Sequence, residues 1–422
     1  MESAEHTNAK QLIFDALHRD CNRLTPDAVS NMQAGDWDFL AHMAKLHRLG
    51  PMLHDRLARF EDAVPQIVRD QLKASQRSHA MRNLKIYREL VNVTRILNDA
   101  NIPSIALKGA YLARFAYPDP GLRPMRDLDL LIKPEQVIEA FELLKAHGYR
   151  HLYDNGLPET HFTHSEHLAP LVSPDGIAVE LHHRLIADSD FDSDSDSLSG
   201  ADEALWSRSL LKGIGSTQVR FLAPEDLLFH LCLHATQRHQ FNLGPLALTD
   251  IVFLLETHQI DWTVFFKVCE NWQRFALALL HLSTLKVGAD TPDEVIAALG
   301  DADSDIAWQK SAEYMLFSEL EDHRLMTENI EGVMYSGDLS SKFSSFYNIV
   351  FPHRRIIARD FPVSADSPKV FIYYPVRWHR LLSQKLPPLI RALAGQKKSL
   401  RELAKHRKTL DEWLHQDTGG AK

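Results

Sequence analysis

Asp127-Leu128-Asp129 stands at the head of the apolar run Leu130-Leu131-Ile132, and this stretch constrains the fold more than any other. A short apolar run of this kind reads as a buried β-strand, in which side chains two apart share a face. Asp127 and Asp129 then project together, with Leu128 and Leu130 pinned in the core behind them. Two neighbouring carboxylates repel unless something positive lies between them. A divalent cation is the usual solution, and phosphoryl or nucleotidyl transfer is its usual task.

The flanking sequence predicts an α/β unit. Ile102 to Leu107 is a short apolar strand, followed by Lys108-Gly109 and a short helix over Ala110–Ala116. Pro118-Asp119-Pro120-Gly121 breaks that helix. After the Asp127–Ile132 strand, Pro134 and Glu135 open a helix to His147, which Gly148 stops. His167–Ser173 and Ile177–His182 flank Pro174-Asp175-Gly176, a hairpin signal, and Pro170 marks the first of these strands as an edge or a bulge. Glu180 lies in the second strand, sharing a face with Ala178 and His182. A carboxylate in a half-buried strand needs a partner, and Glu180 is the natural third acid beside Asp127 and Asp129.

Residues 7 to about 98 read as helical, with Thr25-Pro26-Asp27 as an N-cap followed by proline at the first helical position. Ile186 to Asp202, rich in Asp and Ser, reads as an acidic loop, and Pro224 to about Leu320 is helical again. Beyond it come a Pro-Val-Ser linker near 362, a Phe371-Ile372-Tyr373-Tyr374 cluster that reads as core, and a basic helix from about Ser399 to His415 with a solvated face. At 422 residues the chain is too long for one ordinary domain. The expected divisions are 1–82 (helical), 83–190 (the strand-rich core), 191–330 (helices closing a cleft) and 331–422 (an extension with the basic helix).

Composition narrows the classes. No run of about 18 apolar residues suggests a membrane span, and Met1–Lys10 has no signal-peptide core. Three cysteines, far apart and without CxxC spacing, fit a reducing cytoplasm rather than a disulfide framework. A formal net charge of -9 argues against general nucleic-acid binding. His161, His164 and His167 have the spacing of one helical face, but they run into a strand without an evident fourth ligand, so no zinc site is expected. His182 and His183, and His230 and His234, read as packed, capping or hydrogen-bonded groups, with a place near substrate the alternative for His182 and a place lining the cleft with Asp250 the alternative for His230 and His234.

A glycine where a strand turns into a helix lets backbone N–H groups approach phosphate, and Lys108 can add charge there. Leu107-Lys108-Gly109-Ala110-Tyr111-Leu112, Arg123 through Leu131 and Val179-Glu180-Leu181-His182 together resemble the polymerase β-like nucleotidyltransferase superfamily. The branch they resemble is a bacterial uncharacterised nucleotidyltransferase family, often found near polysaccharide or modified-peptide biosynthesis genes. The resemblance is strong over about residues 80 to 185 and extends more weakly through Pro224-Glu225-Asp226 and Thr249-Asp250-Ile251.

The resemblance implies an α/β (α+β) fold: a small mixed-sheet nucleotidyltransferase core with extensive N- and C-terminal helical regions. It implies transfer of NMP from an NTP, with ATP the expected one, to an acceptor hydroxyl or phosphate on a sugar, peptide, protein or RNA. Asp127, Asp129 and Glu180 would be the catalytic acids and hold Mg²⁺ or Mn²⁺. Lys108, Gly109, Arg123 and Arg126 would meet the nucleotide phosphates. The superfamily often has Gly-Ser where this chain has Gly109-Ala110, and Asp where it has Glu180. The missing hydroxyl keeps open a nucleotide-binding or scaffold protein without catalysis. A toxin-like enzyme that nucleotidylates protein or tRNA is a further alternative.

Overall fold

The strand that carries the two aspartates, β2 (Asp127–Ile132), is buried on both faces: Leu128, Leu130, Leu131 and Ile132 are at most 1% exposed. The structure, a computed structural model, describes residues 6–151, 166–185, 203–300, 305–325, 339–361, 363, 366–385 and 398–416. His161, His164, the acidic loop expected over 186–202 and Pro362 of the expected linker lie outside the described residues.

Continuous burial of an apolar run requires a central strand with neighbours on both edges. On one edge, β2 pairs in parallel with β5 (Ala178–His182); on the other it pairs antiparallel with β1 (Ser104–Ala106). The sheet continues through β7 (Thr217–Phe221), parallel to β1, to β6 (Leu210–Ile214). On the far side it runs through β4 (Leu171–Val172) to β3 (Arg150–His151). The order is β3-β4-β5-β2-β1-β7-β6, a seven-stranded mixed sheet among the described residues.

The β4–β5 hairpin turns at Gly176, whose φ of 79° is the left-handed conformation such a turn needs. Its first strand is interrupted as Pro170 suggested. His167 bridges His182 and the Leu168 N–H reaches the Leu181 carbonyl, but regular pairing resumes only at Leu171. Proline has no N–H to offer the ladder.

Helices cover the sheet. Gln66–Asp99 is one continuous 34-residue helix that runs through residue 82. Its stripe of Val68, Leu72, Ile86, Leu90, Val93 and Leu97 is buried, the spacing of one helical face. The Thr25 hydroxyl accepts the Ala28 N–H at 3.2 Å, capping the Pro26–Ser30 helix as expected. Pro224–Leu233, Leu246–Thr257 and Gln273–Val287 pack together.

The basic helix is Lys398–Leu414, and its apolar face is docked on Ile306–Leu316. Trp413 stacks on Trp308 with ring centroids 4.2 Å apart. One hydrophobic core runs from Ala9 to Leu414, and a small separate cluster gathers Ile357, Phe361, Val363 and Val370. The Phe371-to-Tyr374 expectation needs correction. Tyr373 and Tyr374 pack on the small cluster, but Phe371 and Ile372 are 65% and 68% exposed. The short helical turn Pro368–Ile372 directs them outward.

Burial pushes several histidines toward the neutral form: His47 and His323 fall to about 4 and His239 to about 3. Each binds its proton more weakly folded than unfolded, so its contribution is full above the ordinary value near 6.5 and is lost as pH falls toward the folded value. We expect the melting temperature to fall steadily from about pH 7 to about pH 5. His47→Gln should flatten that dependence in a thermal-melt series. An unchanged slope would mean that His47 is not buried neutral.

Candidate active site

The register of two parallel strands assembles the site. Asp129 on β2 lies opposite Glu180 on β5, Asp127 opposite Ala178, and Leu131 opposite His182. Paired residues of adjacent strands point to the same side, so Asp127, Asp129, Glu180 and His182 share one face of the sheet.

Lys108, the residue leaving β1, reaches across to this face. Its Nζ lies 3.3 Å from Oδ2 of Asp129, while the Leu107 N–H donates to the Asp129 carbonyl at 3.0 Å. Lys108 has φ 47° and ψ -112°, a left-handed conformation costly for a residue with a Cβ. The lysine–aspartate contact and the turn into the Gly109–Tyr111 helix hold it there. His182 lies on the other side of Asp129, with Nε2 3.4 Å from Asp129 Oδ1 and 3.8 Å from Glu180 Oε2. His167 Nε2 is 3.7 Å from the same Glu180 oxygen.

This geometry sets the charges. Burial alone would raise Asp129, but Lys108 and the His182 hydrogen bond outweigh it and hold the carboxyl well below its ordinary range. Burial likewise opposes a charged His182, yet its bonds to Asp129 and Glu180 push it up to about 9. The stability His182 contributes is thus full below about 6.5 and lost as pH rises through about 9. Glu180 is lowered against its burial by His182 and His167. Asp127 goes the other way, to about 6, raised first by burial and then by the negative charges of Asp129 and Glu180.

One donor atom each from Asp129, Glu180 and His182 lies within 4.8 Å of the other two. Two hard oxygens and one imidazole nitrogen at this spacing fit a divalent cation. The residues brought together differ in one member from the expected set. Asp127 is on the same face and lines the same cavity, but the close trio takes His182, which came from the strand that supplies Glu180.

The face opens on a cavity of about 330 Å³ that Lys108, Gly109, Asp127, Asp129, Glu180 and His182 line on one side. Arg48, Arg126 and Arg238 line it elsewhere. Arg238 is paired with Glu166 at 3.0 Å, whereas Arg48 and Arg126 form no salt bridge among the described residues. Arg48 adopts φ 58° just before the Gly50–Leu57 helix. Burial, then the nearby Arg123 and Arg126, lowers its guanidinium to about 10. His234 and His239 also line the cavity, with rings 4.5 Å apart, and burial keeps them neutral.

Arg123 has a different place from Arg126. Its Nε and Nη2 donate to the two oxygens of Asp250 at 3.1 and 2.8 Å, and Nη1 donates to the Pro124 carbonyl at 3.2 Å. Tyr117 donates its hydroxyl to the same aspartate at 2.7 Å. Arg123 is therefore engaged within the protein, tying the loop before β2 to the Leu246–Thr257 helix. It also explains Gly109: a Cβ there would overlap the Arg123 guanidinium.

Two residues that sequence reasoning missed support the site. The Asn83 amide donates to the Pro120 and Arg123 carbonyls at 2.7 and 2.8 Å and accepts the Met125 N–H at 3.0 Å. The one sign of it was a polar residue on the buried stripe of a long amphipathic helix. Arg48 carried no such sign beyond its place before Leu49-Gly50-Pro51.

A mixed sheet whose parallel strands present clustered acids, beside a lysine–glycine turn into a helix, defines a nucleotidyltransferase-like protein. The model of the uncharacterised nucleotidyltransferase family matches residues 33–286, and the chain belongs to that family. No curated protein matches it. The match takes in the site from Arg48 to Asp250, with helices on either side of the sheet.

Asn83→Ala removes three hydrogen bonds and leaves buried backbone groups without partners, which costs about 2 to 4 kcal/mol at roughly 1 kcal/mol for each bond. Chemical denaturation should register that loss. A variant within about 0.5 kcal/mol of the parent would show that the loop holds its shape without Asn83.

Proposed function

We propose that the chain transfers a nucleoside monophosphate from an NTP to an acceptor hydroxyl and releases pyrophosphate. The observation that carries this reading is the placement of Glu180 in register with Asp129, on the face that Lys108 and the cavity share. Three acids and a histidine converging on a cavity that is also lined by Arg48 and Arg126, which form no salt bridge among the described residues, suit an anionic substrate that arrives with a metal. Asp129, Glu180 and, once it has released the proton that Asp129 and Glu180 hold on it, His182 would bind the divalent cation, with Asp127 beside them. The cation when bound supplies charge that offsets the triphosphate and makes the acceptor hydroxyl more acidic.

The chain's own groups divide the remaining work. Lys108, Arg126 and Arg48 neutralise phosphate oxygens. Gly109 opens the short helix after β1 and leaves room for the Arg123–Asp250 pair that fixes the cavity wall. The acceptor oxygen forms a bond to the α-phosphorus, the bond from that phosphorus to the bridging oxygen breaks, and pyrophosphate leaves with the electron pair. Glu180 takes the hydroxyl proton, since its side chain is 23% exposed toward the cavity while that of Asp129 is 10% exposed and bound on both sides. ATP is the NTP to test first, and the acceptor is a sugar, peptide, protein or RNA.

Each radiolabelled NTP, incubated with the protein, Mg²⁺ or Mn²⁺ and a cell extract, should leave label on one acceptor and pyrophosphate in solution. Asp129→Asn should abolish both, with a rate loss of at least about a thousandfold. Pyrophosphate release that survives this substitution contradicts the reading. Nucleotide binding without release in the parent protein would support the scaffold alternative.

The nitrogen ligand leads to a second expectation. Imidazole suits Mn²⁺ better than Mg²⁺, which prefers oxygen. His182→Ala should weaken Mn²⁺ binding by about tenfold or more while changing Mg²⁺ binding less. Titration calorimetry without substrate can read this. Equal losses for both ions would assign His182 a purely positioning role.

A further inference from the structure

Exposed apolar surface is concentrated in one part of this protein. Among the described residues, nine of the fifteen exposed large apolar side chains lie between 339 and 382. They include Phe343 at 70%, Phe346 at 54%, Phe371 at 65% and Ile372 at 68% exposure. Scattered exposed apolar residues need no explanation, but a contiguous group does.

The group is built rather than frayed. The helices Leu339–Val350 and Tyr373–Arg380 are joined by the Trp378 indole, which donates to the Val350 carbonyl at 2.7 Å, and by the Tyr374 hydroxyl, which donates to the Pro352 carbonyl at 2.6 Å. Phe351 meets Trp378 edge to face at 5.5 Å. A groove of about 650 Å³ runs between them, lined by Tyr347, Phe351, Phe371, Tyr374 and Trp378. The small core of Ile357, Phe361, Val363 and Val370 supports the group, separately from the main core.

Charge selects the occupant. Residues 339–385 hold eight lysines and arginines against two aspartates, in a chain whose formal net charge is -9. Arg354, Lys369 and Arg380 are exposed around the apolar surface. A second copy would set one cationic patch against another. An anionic membrane surface complements both properties at once: aromatic rings enter the boundary between headgroups and acyl chains, and basic side chains meet lipid phosphate. No helix among the described residues is long and apolar enough to cross a membrane, so the contact is one of lying on the surface.

We propose that the surface formed by the described residues between 339 and 385 docks this protein on anionic lipid bilayers. This proposal does not rest on the nucleotidyl-transfer reading and can stand or fall without it.

Co-sedimentation of the full chain tests it, with vesicles of phosphatidylcholine alone and of phosphatidylcholine mixed with phosphatidylglycerol. The protein should sediment with the anionic vesicles, stay in solution with the neutral ones, and be released by added salt. Phe371→Ser with Ile372→Ser should reduce binding by about tenfold or more. Lys369→Glu with Arg380→Glu should do the same by reversing charge, which keeps the test open if one pair proves unstable by circular dichroism. Absence of binding to anionic vesicles overturns the proposal. So does unchanged binding by both double variants, which would place the contact on another surface such as the basic C-terminal helix. A lipid-free dimer, seen by ultracentrifugation and abolished by the same substitutions, would show instead that a second copy covers the patch.

Discussion

The charge balance around Asp129 is the interaction on which the rest of the site depends. Its carboxylate is buried in the central strand, a position that would expel a lone charge at a cost of several kcal/mol. Lys108 on one side and His182 on the other make the charge tolerable. They also bind together three strands, since Lys108 leaves β1, Asp129 belongs to β2 and His182 to β5. Removing either partner would strand a buried charge, which is more damaging than losing an exposed ion pair. The balance is set by the chain's own groups, and a cation held in the acid cluster would change it rather than create it.

The support around that centre has two layers. Asn83 fixes the loop before β2 from the long helix beneath it, and the Arg123–Asp250–Tyr117 group fixes the same loop from the opposite side. Asp127 and Arg126 sit at the end of that loop, so their position depends on both. Bidentate Arg–carboxylate bonding is directional, and the absence of a side chain at Gly109 leaves it room. The same arginine that looks like a phosphate ligand in the sequence thus serves the cavity by holding its wall.

Much of this was legible in the residues. The Asp127–Ile132 strand, the helix closed by Gly148, the Gly176 hairpin and the Thr25 cap all follow local rules of periodicity and turn chemistry. The pairing of Glu180 with the aspartates rested on alternation in a distant strand and on family resemblance, and the structure places them on one face. The part played by His182 was less legible, because a histidine two residues past an acid is ordinary in a strand. Arg48 was not legible at all: it is one arginine among many in a helical region. Phe371 and Ile372 read as core because apolar residues usually are, and no local pattern distinguishes an apolar side chain that packs inward from one left facing out.

Local sequence determined the elements and the faces on which the acids lie, because strand alternation and helix capping act over a few residues. The three-dimensional packing alone decided which distant groups meet. Strand order put β5 rather than another strand beside β2, which made His182 a neighbour of Asp129. Helix docking paired Arg123 with Asp250, 127 positions away, and brought Arg48 to the cavity. Electrostatic and hydrogen-bond partners are chosen by distance in space, and a chain records that distance only once it is folded.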